Sequence, residues 1–132
     1  MTPLAHGIDI VPVARIERLL DEHGPRFLDR CFTAHEREVC LGHARSAERF
    51  AARFAAKEAA FKALGTGWSG GIAWTDAEVV TQASGAPALV LHGAAAQRAA
   101  ALGVTAWLVS LSHAGGMAVA SVIGVGGMPP GP

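Results

Sequence analysis

The sequence predicts an α+β fold, a single small domain whose N-terminal helices, one of them long, pack on a mainly antiparallel sheet. Three observations predict it. Apolar residues recur at helical spacing through much of the first 64 positions, and short β-rich runs follow after residue 73. Charge divides at the same boundary: ten of the eleven Lys/Arg and nine of the eleven Asp/Glu residues precede Gly65. The second half is an Ala/Gly/Val-rich scaffold, so any ionic chemistry belongs to the first.

In order along the chain, Leu4 to Val11 reads as a short buried strand ended by Pro12, with Gly7 permitting close backbone approach. Val13, Ile16, Leu19 and Leu20 then mark one face of a helix that Gly24-Pro25 closes. Phe27 to Phe32 is a second short helical or irregular piece. Thr33 and Glu36 form a T-x-x-E capping box opening a helix through Leu41. The longest helix spans Ser46 to Leu64, with Ser46 as N-cap, an interior rich in Ala, Arg, Lys and Glu, and Gly65 at the C-cap. Trp74–Val80, Ala88–His92, Ala106–Ser112 and Ala118–Val125 read as strands, with a small helix from Ala94 to Leu102. Gly85-Ala86-Pro87 connects the first pair and Gly115-Gly116 turns the last. Residues 1–125 make the domain, and 126–132 a flexible tail.

The bulk numbers exclude several function classes. A chain of 132 residues with 51% hydrophobic and 17% charged residues forms a core and is not disordered. A formal net charge of zero argues against a nucleic-acid coat. Cys31 and Cys40 offer neither a disulfide framework nor zinc-ligand spacing, and read as reduced thiols. The N-terminus lacks a signal-peptide pattern, and Ser110, Ser112, His113 and paired glycines interrupt the apolar stretch Val104–Val125. The reading is cytoplasmic, with no membrane span.

Residues able to do chemistry cluster on the long helix. Glu58 and Lys62 lie four apart and share a face flanked by Phe54 and Phe61; an ordinary ion pair fits that spacing as well as a site does. Asp9, bounded by Ile8, Ile10 and Val11, needs a cation or donor, which an arginine, a helix cap or a metal would each supply. Asp9 and Glu58 together would be enough carboxylate for Mg²⁺, with phosphate oxygens and water completing its shell. His113 ends an apolar strand before glycines, a position that fits a structural or a functional histidine. Gly65-Thr66-Gly67 would stop the helix or offer N–H groups to a phosphate, but it lacks the G-K-[ST] of a Walker loop.

Four blocks, in order, resemble the holo-acyl-carrier-protein synthase family, the small trimeric 4′-phosphopantetheinyl transferases. They are Gly7-Ile8-Asp9-Ile10 with Arg15, Phe32-Thr33 with Glu36, Arg53 through Gly67, and Ser110-Leu111-Ser112-His113. The match runs from Gly7 to about Val125; Ala114 and Met117 depart from the pattern. The resemblance implies transfer of the phosphopantetheine arm of coenzyme A to a serine of an acyl carrier protein, leaving 3′,5′-ADP. It implies Mg²⁺, with Mn²⁺ an alternative, held by Asp9 and Glu58. Glu58 would also accept the serine proton, directly or through water, and Lys62 would neutralise phosphoryl charge. Arg53, Gly65 and His113 would bind the 3′-phospho-ADP portion, and Arg15 with Arg18 would dock the carrier's acidic helix. A homotrimer with active sites between subunits is implied too. Two other classes fit parts of the pattern, a non-catalytic carrier-binding module and a metal-dependent enzyme on another phosphate ester.

Overall fold

The computed structural model describes residues 1–67 and 71–127. Strand β1 spans Thr2–Pro12 and leads into helices α1 (Val13–His23), α2 (Pro25–Cys31), α3 (Ala34–Leu41) and α4 (Ser46–Leu64). Strands β2 (Ala77–Thr81) and β3 (Pro87–Leu91), helix α5 (Gly93–Ala101), and strands β4 (Val104–Ala114) and β5 (Met117–Gly126) follow. The strands form two antiparallel sheets, one of three strands in the order β1-β5-β4 and a hairpin of β2 with β3.

β1 pairs with β5 so that Gly7 faces Val122 and Asp9 faces Ala120, and β5 returns beside β4 through the Gly115-Gly116 turn. Strand alternation gives each sheet two faces. On the inner face Val11, Ala118, Ala120 and Val122 are fully buried beneath α4. On the outer face Ile8, Ile10 and Leu108 are 56%, 57% and 58% exposed. The expectation of a buried β1 therefore holds for one face only, because the period of two sends Ile8 and Ile10 away from Asp9.

α4 crosses the inner face on a surface of small side chains. Ala51, Ala55, Ala56, Ala59 and Ala60 are fully buried, so helix and sheet backbones approach closely. The contact is tightest at Gly7, where an added Cβ would lie 1.9 Å from the Ala59 carbonyl oxygen. Glycine alone fits there. Beyond the alanines, Phe54 stacks on Trp74 at 4.6 Å between ring centroids, and Phe27, Phe32, Phe50 and Phe61 extend the cluster.

Under these rings lies a buried ion pair. Lys57 Nζ donates to Glu36 Oε1 at 2.7 Å, to the Trp74 carbonyl at 3.3 Å and to the Ala77 carbonyl. Glu36 accepts in turn from the backbone N–H of Thr33 and of Val79, both at 2.9 Å. Both side chains are fully buried. All three ammonium protons have acceptors, so the charges are compensated where they sit.

Local expectations met the structure unevenly. The Thr33/Glu36 capping box is present, and Gly65 caps α4 in the left-handed region at φ 74°. Ser46 is the first helical residue rather than the N-cap; Arg45 takes that position without a side-chain cap. The strand expected from Trp74 begins only at Ala77. Asp76 folds the preceding residues into a single 3-10 turn by accepting from Ala73 N–H at 3.2 Å. Phe27 to Cys31 belong to a regular helix with Pro25 at its start, and Phe32 follows as its extended C-cap. β5 extends to Gly126, while residues 128–132 of the expected tail lie outside the described residues.

Gly7→Ala should destabilise the chain by about 2 kcal/mol or more, since overpacking against backbone leaves no side chain to yield. Lys57→Met, which strands Glu36 in the interior, should cost about 3 kcal/mol or more. Urea denaturation at pH 7 reads both, and midpoints matching the wild-type chain would contradict this account of the core.

Candidate active site

The close approach at Gly7 sets what lies two residues further along β1. Asp9 points to the same inner face, its side chain only 10% exposed, and meets α4 one turn beyond Ala59. Lys62 Nζ donates to Asp9 Oδ1 at 2.8 Å and to the Ile8 carbonyl at 3.1 Å. The other oxygen, Asp9 Oδ2, is buried with no hydrogen-bond partner. Glu58, one helical turn before Lys62, brings its carboxyl within hydrogen-bonding reach of Asp9. Lys62 thus closes on Asp9 and leaves Glu58 beside a like charge.

Burial pushes the Glu58 carboxyl up to about 7, reinforced by the neighbouring Asp9 carboxyl. Arg15 and Lys62 pull the other way, more weakly. The bond to Asp9 holds Lys62 protonated above the usual lysine range. Two carboxylates this close need either a shared proton or a cation between them. The free donors here are oxygens only, one of them orphaned, which suits a hard divalent ion. No group of three or more His, Cys, Asp or Glu able to hold a metal occurs among the described residues. Such an ion would rest on Asp9 and Glu58, with ligand oxygens and water for the rest.

Around this pair Glu58, Phe61, Lys62 and Gly67 line a cavity of about 190 Å³. Gly65 lies just past Lys62, at the end of the helix. Arg15 of α1 sits 5.5 Å over the ring of Phe54, one turn of α4 before Glu58, and exposed Arg18 follows on α1. A second cavity of about 430 Å³ opens there, floored by Leu19, Phe27, Phe54 and Trp74 and rimmed by Arg26 and Arg30.

Arg53 and His113 lie elsewhere. They line a groove of about 670 Å³ with Arg45, Glu48, Arg49 and Ser112. Arg53 is 7% exposed; its Nη1 donates to the Arg49 carbonyl at 3.3 Å and its Nη2 to Thr81 Oγ1 at 3.5 Å. Its Nε is buried without an acceptor. His113, half exposed on β4, has Nδ1 3.8 Å from Glu48 Oε2. Five residues separate Arg53 from Glu58 on α4, a rotation of roughly 140°, so the two clusters occupy different faces of the helix. One chain therefore unites Asp9, Glu58 and Lys62 with Arg15 nearby, and separately Arg53 with His113, while Gly65 stands at the end of α4 outside the groove those two line. Ala114 and Met117 flank the turn beside His113.

Sequence reasoning passed over the buried Lys57–Glu36 pair and the groove residues Arg45, Glu48 and Arg49. The groove had a legible signal, arginines at 45, 49 and 53 on one helical face. Lys57 had a weaker one, a lysine among Ala55, Ala56, Ala59 and Ala60.

A profile described as the 4′-phosphopantetheinyl transferase superfamily matches residues 5–120. The chain belongs to that superfamily. A holo-[acyl-carrier-protein] synthase of Koribacter versatilis is 52% identical over 120 residues, covering 91% of this chain and 96% of its own. The crystal structure of the synthase from Neisseria meningitidis superposes with a TM-score of 0.85 at 29% identity, covering 94% of this chain and 99% of that one. That of Bacillus anthracis, in complex with coenzyme A (3′,5′-ADP), gives a TM-score of 0.78 at 34% identity over 96% of this chain and 100% of that one. Within the superfamily the chain is a holo-[acyl-carrier-protein] synthase family member and a transferase, with that family's α+β fold. No helix among the described residues is long and apolar enough to cross a membrane.

The Glu58 shift has a fixed sign. Its folded value, about 7, lies above the ordinary 4.5, so protonation favours the folded chain. The stability this gives is complete below pH 4.5 and is lost as pH rises through about 7. In metal-free protein the ¹³C carboxyl resonance of Glu58 should titrate near 7. Asp9→Asn should lower that midpoint while burial keeps it above 4.5, and an ordinary wild-type midpoint would contradict the pairing.

Proposed function

We propose that this transferase moves the 4′-phosphopantetheine group of coenzyme A onto a serine of apo-acyl carrier protein, releasing 3′,5′-ADP and depending on Mg²⁺. The observation that carries it is Asp9: one oxygen locked by Lys62, the other buried and unpartnered beside the Glu58 carboxyl. The relatives and the coenzyme A complex of a neighbouring structure support the substrates.

The chain's own residues divide the work. Asp9 and Glu58 would hold Mg²⁺, or Mn²⁺, which when bound supplies charge neutralisation at the phosphoryl oxygens. Lys62, fixed by Asp9 and the Ile8 carbonyl, places a second positive charge where negative charge gathers in transfer. Glu58, beside the transfer centre, would take the serine proton directly or through water. Arg53 and His113 would bind the 3′-phospho-ADP end in the basic groove, and Gly65 would shape the helix end beside Lys62. Arg15 and Arg18 would meet an acidic face of the carrier.

We also propose a homotrimer. The Asp9 cluster and the Arg53 groove face apart within one chain, so one coenzyme A would need both clusters from adjacent copies. The exposed Ile8, Ile10 and Leu108 give the sheet an apolar outer face to bury. Residues 1–125 form the working domain in this reading. The free, buried Cys31 and Cys40 fit a reducing, cytoplasmic setting.

Intact-protein mass spectrometry tests the reaction. Apo-carrier incubated with the protein, coenzyme A and Mg²⁺ should gain about 340 Da on its serine, and EDTA should abolish the gain. No gain with fatty-acid or polyketide carriers would overturn the reading. Asp9→Ala and Glu58→Ala should each lose most turnover while folded; normal rates in either would remove the metal assignment. Arg15→Glu should weaken carrier binding more than coenzyme A binding. Ile10→Glu should yield monomers in sedimentation and lose activity, and an active monomer would sink the shared site.

A further inference from the structure

Among the described residues the basic groove contains one acid, and it lies between the groove's arginine and histidine side chains. Glu48 is on the first turn of α4, between Arg45 and Arg49 in sequence and a third exposed. Its Oε2 lies 3.9 Å from Arg45 Nη1 and 3.8 Å from His113 Nδ1. Those distances are too long for hydrogen bonds and short enough for charge attraction. Nearby, buried Arg53 keeps an Nε without an acceptor, so the groove's donors are not satisfied by Glu48 alone.

We infer that Glu48 is a built-in competing anion: it offsets the charge of Arg45 beside His113 in the empty groove, and it weakens the hold on a phosphate monoester that arrives there. The inference rests on the reading of this groove as the site of the phosphoadenosine end. Arginines at 45, 49 and 53 stack along one helical face and repel one another, so an acid among them steadies the free protein. The same carboxylate becomes a like charge beside the ligand's phosphate. At a site this open the repulsion is screened, and a roughly three- to tenfold effect on affinity is the scale to expect. The consequence for the reaction concerns its end. The nucleotide portion would stay in the groove as the leaving product, and product release limits the rate of many enzymes. Glu48 is thus a residue that sets specificity and release through Arg45 and His113, without touching the reacting atoms.

Glu48→Gln keeps shape and removes the charge, on a side chain exposed enough for folding to be safe. Calorimetric titration should show 3′,5′-ADP and coenzyme A binding about three- to tenfold tighter to the variant. Dephospho-coenzyme A, the same molecule without the 3′-phosphate, should bind both proteins alike. In steady state the variant's KM for coenzyme A and its kcat should fall together, as release slows. Equal binding of coenzyme A by both proteins would overturn the inference, and weaker binding would make Glu48 an organiser of His113 instead. Arg53→Ala separates the two layers. Loss of 3′,5′-ADP binding there with no gain in Glu48→Gln would leave the groove assignment standing and remove Glu48's role. Unchanged binding in Arg53→Ala would remove the groove assignment itself.

Discussion

The contact between α4 and β1 at Gly7 sets the geometry of everything else. With the Ala59 carbonyl occupying the space a Cβ would need, helix and strand are locked at backbone distance. The fully buried Ala118 and Ala120 of β5 extend that thin layer along the helix. Asp9 inherits its position from this contact. Two residues beyond Gly7, on the same face of the strand, it has no room to avoid α4, and Lys62 and Glu58 are the side chains that α4 presents to it. A wider helix–sheet spacing, of the kind Leu or Val at these positions would impose, would separate the carboxylates and release the lysine.

A helix built so largely of alanine gains little from each residue it buries, so its anchorage must come from elsewhere. Two devices supply it: the Phe54–Trp74 stack with its neighbouring rings, and the Lys57–Glu36 pair. The pair also shows how charge serves opposite ends on adjacent residues. Lys57 and Glu36 are fully buried and their polar atoms meet backbone or each other, so that charge holds α3, α4 and the start of β2 together. Glu58, the next residue, is only partly buried and lies against another acid, with Asp9 Oδ2 left unpartnered. Compensation marks the first pair as architecture; its incompleteness marks the second as a place for a ligand.

Much of this was legible in the residues, and the part that was not has a physical reason. The long helix announced itself through composition, its glycine stop and its apolar stripe, and the capping box gave the start of α3. Asp9 and Glu58 could be named from their chemistry as enough carboxylate for one ion, but no spacing rule links a strand residue to one 49 positions later, so their meeting in space was not legible. Lys57 looked like any helical lysine, because burial depends on what α3 and the Trp74 turn lay over it. The outward turn of Ile8 and Ile10 was hidden for the converse reason: an apolar run does not say which of its faces is covered. The 3-10 turn at Trp74–Asp76 was missed because one aspartate's bond to the backbone overrode the β tendency of its neighbours.

The separation of the two polar clusters on α4 has a functional logic in the assembly we propose. Chemistry at Asp9, Glu58 and Lys62 needs fixed distances, and it sits where helix and strand backbones are locked together. Binding of the nucleotide end needs reversibility, and it sits in an open groove whose basic residues come from the first turns of α4 and the end of β4. Placing the clusters on opposite sides of one rigid helix means that each copy would offer a transfer centre to one neighbour and a nucleotide groove to the other. The exposed apolar sheet face is what such a ring of copies would bury. Oligomerisation would then be a condition of the reaction as well as of stability. The same 19-residue helix would carry the geometry from one site to the next.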